Sequence, residues 1–168
     1  MNFMKKISTL AIALLAVSAM AGSAADIKKI AAVYSKMDGY SVKKDMTGLK
    51  SLLNSIATKD CAFTDPKGKA QTVGQVLGQM AMQMGAIDKF IASTSHIDKT
   101  TEKGTTIVAT VSSNYALLTK AGADGKAHKI EGSSVSIDTW VKVGSDWKLQ
   151  GSKTTKETTK MDGKVFPG

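Results

Sequence analysis

The sequence contains no arginine; all 23 of its basic side chains are lysines. Sequence-specific reading of phosphates and base edges leans on the planar arginine fork. The lysines are also scattered singly or in pairs, so a nucleic-acid-binding function is set aside and the charge reads as a solvated cationic surface. Cysteine is nearly absent. Cys61 is the only one, which excludes an internal disulfide. It reads as a small buried apolar residue, because no histidine stands near it in sequence as the basic partner a catalytic thiol needs. Two histidines, His96 and His128, beside one cysteine argue against a zinc site of the usual His and Cys type, and no cofactor is implied. Tryptophan is scarce too, and both copies, Trp140 and Trp147, fall within one segment near the C-terminus.

What is present begins with a leader. Lys5 and Lys6 precede an apolar run over Leu10–Val17, followed by small residues through Ala24 and Ala25. That is the three-part layout of a secretory signal peptide, and the run is too short to serve as a stable membrane anchor. The expectation is cleavage after Ala24 or Ala25, export to the periplasm or the exterior, and a mature domain over 26–168. Without Lys5 and Lys6, 21 lysines face 14 acidic residues, a net charge of +7. Weak attraction to anionic surfaces stays open on that balance.

The remaining chain is long enough to bury one core. Ile27, Ile30, Tyr34 and Met37 recur at helical spacing behind Asp26, with Gly39 as an expected end or break. Asp45 predicts the cap of a second helix with Leu49, Leu52, Leu53 and Ile56 on its apolar face. Cys61–Asp65 reads as a short strand and Pro66-Lys67-Gly68 as a turn, with Lys69–Gln71 as a short return strand. Thr72 caps a third helix whose apolar face carries Val73, Val76, Leu77, Met80 and Met84. From residue 88 the pattern alternates, and strands are predicted over 88–101, 105–120, 127–143 and 147–158. Asp-Gly and Gly-Ser-Asp turns separate the later ones. Helices first and an antiparallel meander after them make an α+β domain. The third long strand is apolar on both faces: Val135, Ile137, Val141 and Val143 on one, Ile130 and Trp140 with Asp138 on the other. One face then packs on helices and the other on something else, such as a second subunit.

Three pieces give the chain a family likeness: the helix pair leading to Phe63-Thr64-Asp65-Pro66, the third helix with its Thr72 start, and Ile137-Asp138-Thr139-Trp140-Val141-Lys142-Val143 followed by Asp146-Trp147-Lys148-Leu149. In this order they resemble the nuclear transport factor 2-like superfamily, also called SnoaL-like or ketosteroid-isomerase-like. The resemblance implies a cone-shaped, cystatin-like fold, with three N-terminal helices packed on a curved antiparallel sheet around an apolar cavity. It also implies dimerisation through the outer sheet face in many relatives. Carried over from the ketosteroid isomerases, the general base falls on Asp65 and the oxyanion donors on Tyr34 and Asp138. Such a reaction needs a carboxylate to shuttle a proton next to a carbonyl, and a hydroxyl with a neutral carboxylic acid to hold the developing charge. The segment between Tyr34 and Asp65 is longer than in those enzymes.

Further candidates for contact with a ligand are Met80 and Met84 as an adaptable wall or a plain core stripe, His96 as a proton shuttle or an ordinary strand histidine, Tyr115 at the mouth, and Trp140. Three functions follow: a module binding a small apolar or amphipathic molecule, a proton-transfer enzyme (isomerase, cyclase or dehydratase), and an interaction module that forms a homodimer or joins an envelope complex.

Overall fold

The computed structural model describes residues 24–165. The expected leader, residues 1–25, lies outside them except for Ala24 and Ala25, which begin the first helix. Helix α1 (Ala24–Val42) buries Ile30 and Tyr34. It does not stop at Gly39. A mid-helix glycine costs about 1 kcal/mol against alanine, and the packing of Met37 and Tyr40 against the core outweighs it. The chain turns instead at Lys44, whose φ of 56° is left-handed.

Asp45 then caps α2 (Met46–Ile56), its carboxylate accepting the Gly48 amide at 2.8 Å. Gly48 is a site where only hydrogen fits: a Cβ there would lie 2.4 Å from the Tyr40 ring. The α1–α2 corner therefore closes on a glycine. Leu49, Leu53 and Ile56 are buried as their spacing requires.

Strand β1 (Ala57–Thr64) begins four residues earlier than Cys61, directly at the end of α2, and returns through a turn into β2 (Ala70–Thr72). Helix α3 (Val73–Ala86) opens with a capping box in which Thr72 and Gln75 satisfy each other's backbone amides. The meander follows as β3 (Ile87–Lys103), β4 (Thr106–Thr119), β5 (Lys129–Val143) and β6 (Asp146–Met161), with a short β7 (Lys164–Val165) after the Asp162-Gly163 turn.

The sheet order is β2-β1-β6-β5-β4-β3, with β7 on β6. It is mixed, not wholly antiparallel, because β1 runs parallel to β6. The reason is connectivity: a helix and two long hairpins intervene between these strands, so no tight turn dictates their direction. Register shifts at three places in β3 and two along the β5–β6 pair bend the sheet. The core lies between this sheet and the helices, with Trp140, Ile30, Leu49, Leu53, Ile107 and Val111 fully enclosed. Each aliphatic side chain buried in this way contributes about 1.5–3 kcal/mol.

Candidate functional site

Alternation along β5 sends Asp138 and Trp140 to the inner face, beneath α1. In register they sit beside Ala109 and Ile107 of β4. Asp138 is 4% exposed. Its Oδ2 accepts the Tyr34 hydroxyl at 2.6 Å and its Oδ1 accepts the Ser152 hydroxyl at 2.6 Å. Trp140 donates its indole N–H to the Tyr34 oxygen at 3.1 Å and meets that ring edge-on. Among the described residues no ion pair reaches Asp138. A carboxylate enclosed this far is tolerated only because each oxygen has a hydroxyl donor. Burial, then the Asp138 charge and hydrogen bond, push the Tyr34 hydroxyl far above the usual phenol range, so it stays protonated. The thiol of Cys61 is pushed up to about 11 by burial and by Asp60 and Asp138, which keeps it un-ionised.

Two of the three residues expected to act together are thus in contact. Asp65 is not joined to them. It stands in the β1–β2 turn, where Oδ1 accepts the amides of Lys67 and Lys69 at 2.9 and 2.8 Å. The Pro-Lys-Gly turn is built on that carboxylate, and Gly68, with φ of 87°, completes it.

The residues expected to contact a ligand also separate. Trp140 is 1% exposed, so it supports Tyr34 from below and offers no ring to a ligand. Met80 and Met84 are half-buried and pack on the core from α3. Tyr115 lies on the inner face over Gly132, where a Cβ would fall 2.1 Å from its ring. His96 is exposed, since Ser95 and Ile97 on either side of it turn inward, and it borders the groove between α1 and β3.

A groove of about 450 Å³ runs between α1 and the edge strand β3. Ile27, Ala31 and Tyr34 line it from the helix; Ser95, Ile97 and Thr100 line it from the strand, with Lys28 and Lys99 at its margin. At one end Asp38 ties the two walls together, accepting Ser93 and Ser95 at 2.8 and 3.1 Å, while Ser113 donates to Ser95 at 3.1 Å. The groove therefore joins apolar walls to a polar end, and its floor is the tyrosine held by Asp138 and Trp140. Ser152 and the Asp38 cluster were not foreseen. The parity of Ser152 is hidden by the irregularity near Trp140, and Asp38 sits 55 residues from its partner.

No protein-family model matches the sequence, and no curated protein matches it. Solved structures do. A conserved protein from Planctomyces limnophilus superposes with a TM-score of 0.63 at 14% identity, covering 77% of this chain and 94% of its own. A nuclear transport factor 2-like protein from Cytophaga hutchinsonii gives 0.54 at 16% identity, covering 77% and 96%. A type 2 hexachlorocyclohexane dehydrochlorinase gives 0.59 at 11% identity, covering 84% and 90%. The chain has the nuclear transport factor 2-like, α+β fold.

Proposed function

We propose that the protein is an exported domain that binds a small apolar or amphipathic molecule in the groove between α1 and β3. The observation that carries this reading is the groove itself, with the apolar Ile27, Ala31 and Ile97, a polar end, and Tyr34 as floor. Ligand sites of this kind are mainly apolar with a few placed polar groups. Lys28 and Lys99 outnumber Asp98 at the margin, and Asp98 already takes the Ser112 hydroxyl, a balance that suits a ligand with an anionic end.

The proton-transfer alternative draws on the Tyr34–Asp138 hydrogen bond and on the dehydrochlorinase among the structural neighbours. It needs a carboxylate poised to take a proton. Both oxygens of Asp138 already accept hydroxyls, and Asp65 serves its own turn. Tyr34 gives its one proton to Asp138. These hydrogen bonds, already made inside the protein, support binding over catalysis.

Native mass spectrometry of the mature protein, purified from its own cell envelope fraction or medium, tests the reading. The expected result is a copurifying small molecule that is lost when Ala31→Phe fills the groove. Absence of any bound molecule, together with no saturable binding of a fluorescent anionic amphiphile such as anilinonaphthalene sulfonate, sinks it. A ligand retained at full occupancy by Ala31→Phe places the site elsewhere and sinks it equally.

A further inference from the structure

The outer face of the sheet carries a second pattern, which meets the groove only at its β3 edge, where His96 and Lys99 border both. Cross-strand register sets Lys99, Thr110, Ile137 and Lys153 in one row across β3, β4, β5 and β6. The next row is His96, Ser112, Val135 and Lys156; on the other side of the first come Thr101, Val108, Thr139 and Gly151, and beyond them a row that begins at Lys103 and passes through Thr106 and Val141. The rows of Lys99, His96 and Lys103 each have a basic residue at the β3 end and an apolar β5 residue in the interior; in the row of Thr101 the apolar residue is Val108 of β4. Four strands span about 14 Å at the usual spacing. Ile137 is 40% exposed and Val143, further along the same stripe, is 54% exposed. Lys99, Lys103, Lys153 and Lys156 are all exposed. Lys148, opposite Val141, is turned away to the Ser55 carbonyl. The carboxylates on this face are engaged or peripheral: Asp98 takes the Ser112 hydroxyl, Glu131 pairs with Lys129 at 2.7 Å, and Asp146 closes the hairpin end.

We infer that this face docks on an anionic lipid bilayer surface, with the lysine flanks on headgroups and the β5 stripe against the interface. Charge complementarity selects that occupant. An apolar stripe bordered on both sides by lysines matches a surface that is apolar beneath and anionic above. A second copy is a poor match, since face-to-face stacking sets lysine flanks beside lysine flanks on chains already carrying net positive charge. Lysine is adequate here, because headgroup attraction needs point charges and not a planar fork. Among the described residues no helix is long and apolar enough to cross a membrane.

The test is co-sedimentation of the mature protein with phosphatidylcholine vesicles, with and without phosphatidylglycerol. Binding is expected only with the anionic lipid, and it is expected to fall in high salt. Lys153→Glu/Lys156→Glu should weaken it by about tenfold or more, while Lys67→Glu/Lys69→Glu, the same charge change in the β1–β2 turn, should leave most of it. Lys153→Gln/Lys156→Gln, which avoids charge reversal, should fall in between and guards against a folding defect. Equal loss in both Glu variants means that net charge alone is sensed, and overturns the assignment. So does failure of the wild-type protein to bind anionic vesicles at low salt. A homodimer in sedimentation velocity that Ile137→Ser dissolves, without vesicle binding, assigns the face to a second copy and overturns it as well.

Discussion

The smallest unit that matters is the hydroxyl of Tyr34. It donates to Asp138 and accepts from Trp140, so one atom satisfies two buried polar groups on β5. Tyr34→Phe keeps the ring in the core and removes only that atom. Asp138 then keeps Ser152 as its donor, and the Trp140 indole is left unpaired. We expect a loss of about 1–3 kcal/mol, the usual cost of orphaning buried polar partners, read from the urea midpoint at unchanged m-value. Were Tyr34→Phe as stable as wild type, the network would not be a structural tie and the catalytic reading would regain ground. Gly39 gives the opposite case. It lies inside α1 with negative φ, and nothing stands within 4 Å of where its Cβ would be. Gly39→Ala is expected to raise stability by about 0.5–1 kcal/mol through helix propensity and unfolded-state entropy, measured by the same unfolding curve.

At the scale of elements, the end of the β4–β5 loop is tied to the β6–β7 turn by one histidine. His128 places Nδ1 2.7 Å from Asp162 and Nε2 3.0 Å from Asp124. The Lys129 amide also donates to Asp162. Hydrogen bonds to Asp162 and then Asp124 raise the imidazole above its ordinary value. The Lys126 amide first, and then His128, lower Asp124, whereas for Asp162 the histidine is the larger influence. The sign follows by linkage. The histidine's contribution is complete below its unfolded value near 6.5 and fades as pH rises through the raised folded value. The carboxylates' contribution is present above their ordinary range and fades as pH falls through their lowered values. Thermal melts of wild type and His128→Gln should therefore differ most in mildly acidic buffer and converge toward alkaline pH. A gap that widens on the alkaline side contradicts this assignment. The two carboxylates are exposed and the imidazole is half-buried between them, so the effect is modest and salt-sensitive.

For the whole molecule, the two faces of one sheet divide the work: the inner face holds the core and, with α1, the groove, and the outer face carries the lysine-flanked stripe. A ligand in the groove binds only the folded chain, so the melting temperature should rise with ligand concentration. Any molecule identified by mass spectrometry can be checked in that way; a true ligand with no effect on melting would have to bind outside the fold. The proposed export makes its own expectation. The purified product should have the intact mass of a chain starting at Ala25 or Asp26, and a product retaining Met1 would remove the exported reading.

Local pattern in the sequence was enough for most of the architecture. Asp45 and Thr72 marked two helix starts, and the alternating runs gave four long strands within a few residues of their ends, because caps and period-two burial are short-range properties. The same alternation put Asp138 and Trp140 on one face. It did not reveal the parallel β1–β6 pairing or the passage of α1 through Gly39, since both depend on packing between residues far apart in the chain. Nor did it show that Asp138 meets Tyr34 across 104 residues while Asp65 turns to its own loop. Residue type placed three candidates in one site; only the tertiary structure decided which of their hydrogen bonds are already made. A carboxylate's role is set by the donors that reach it, and those come from other elements.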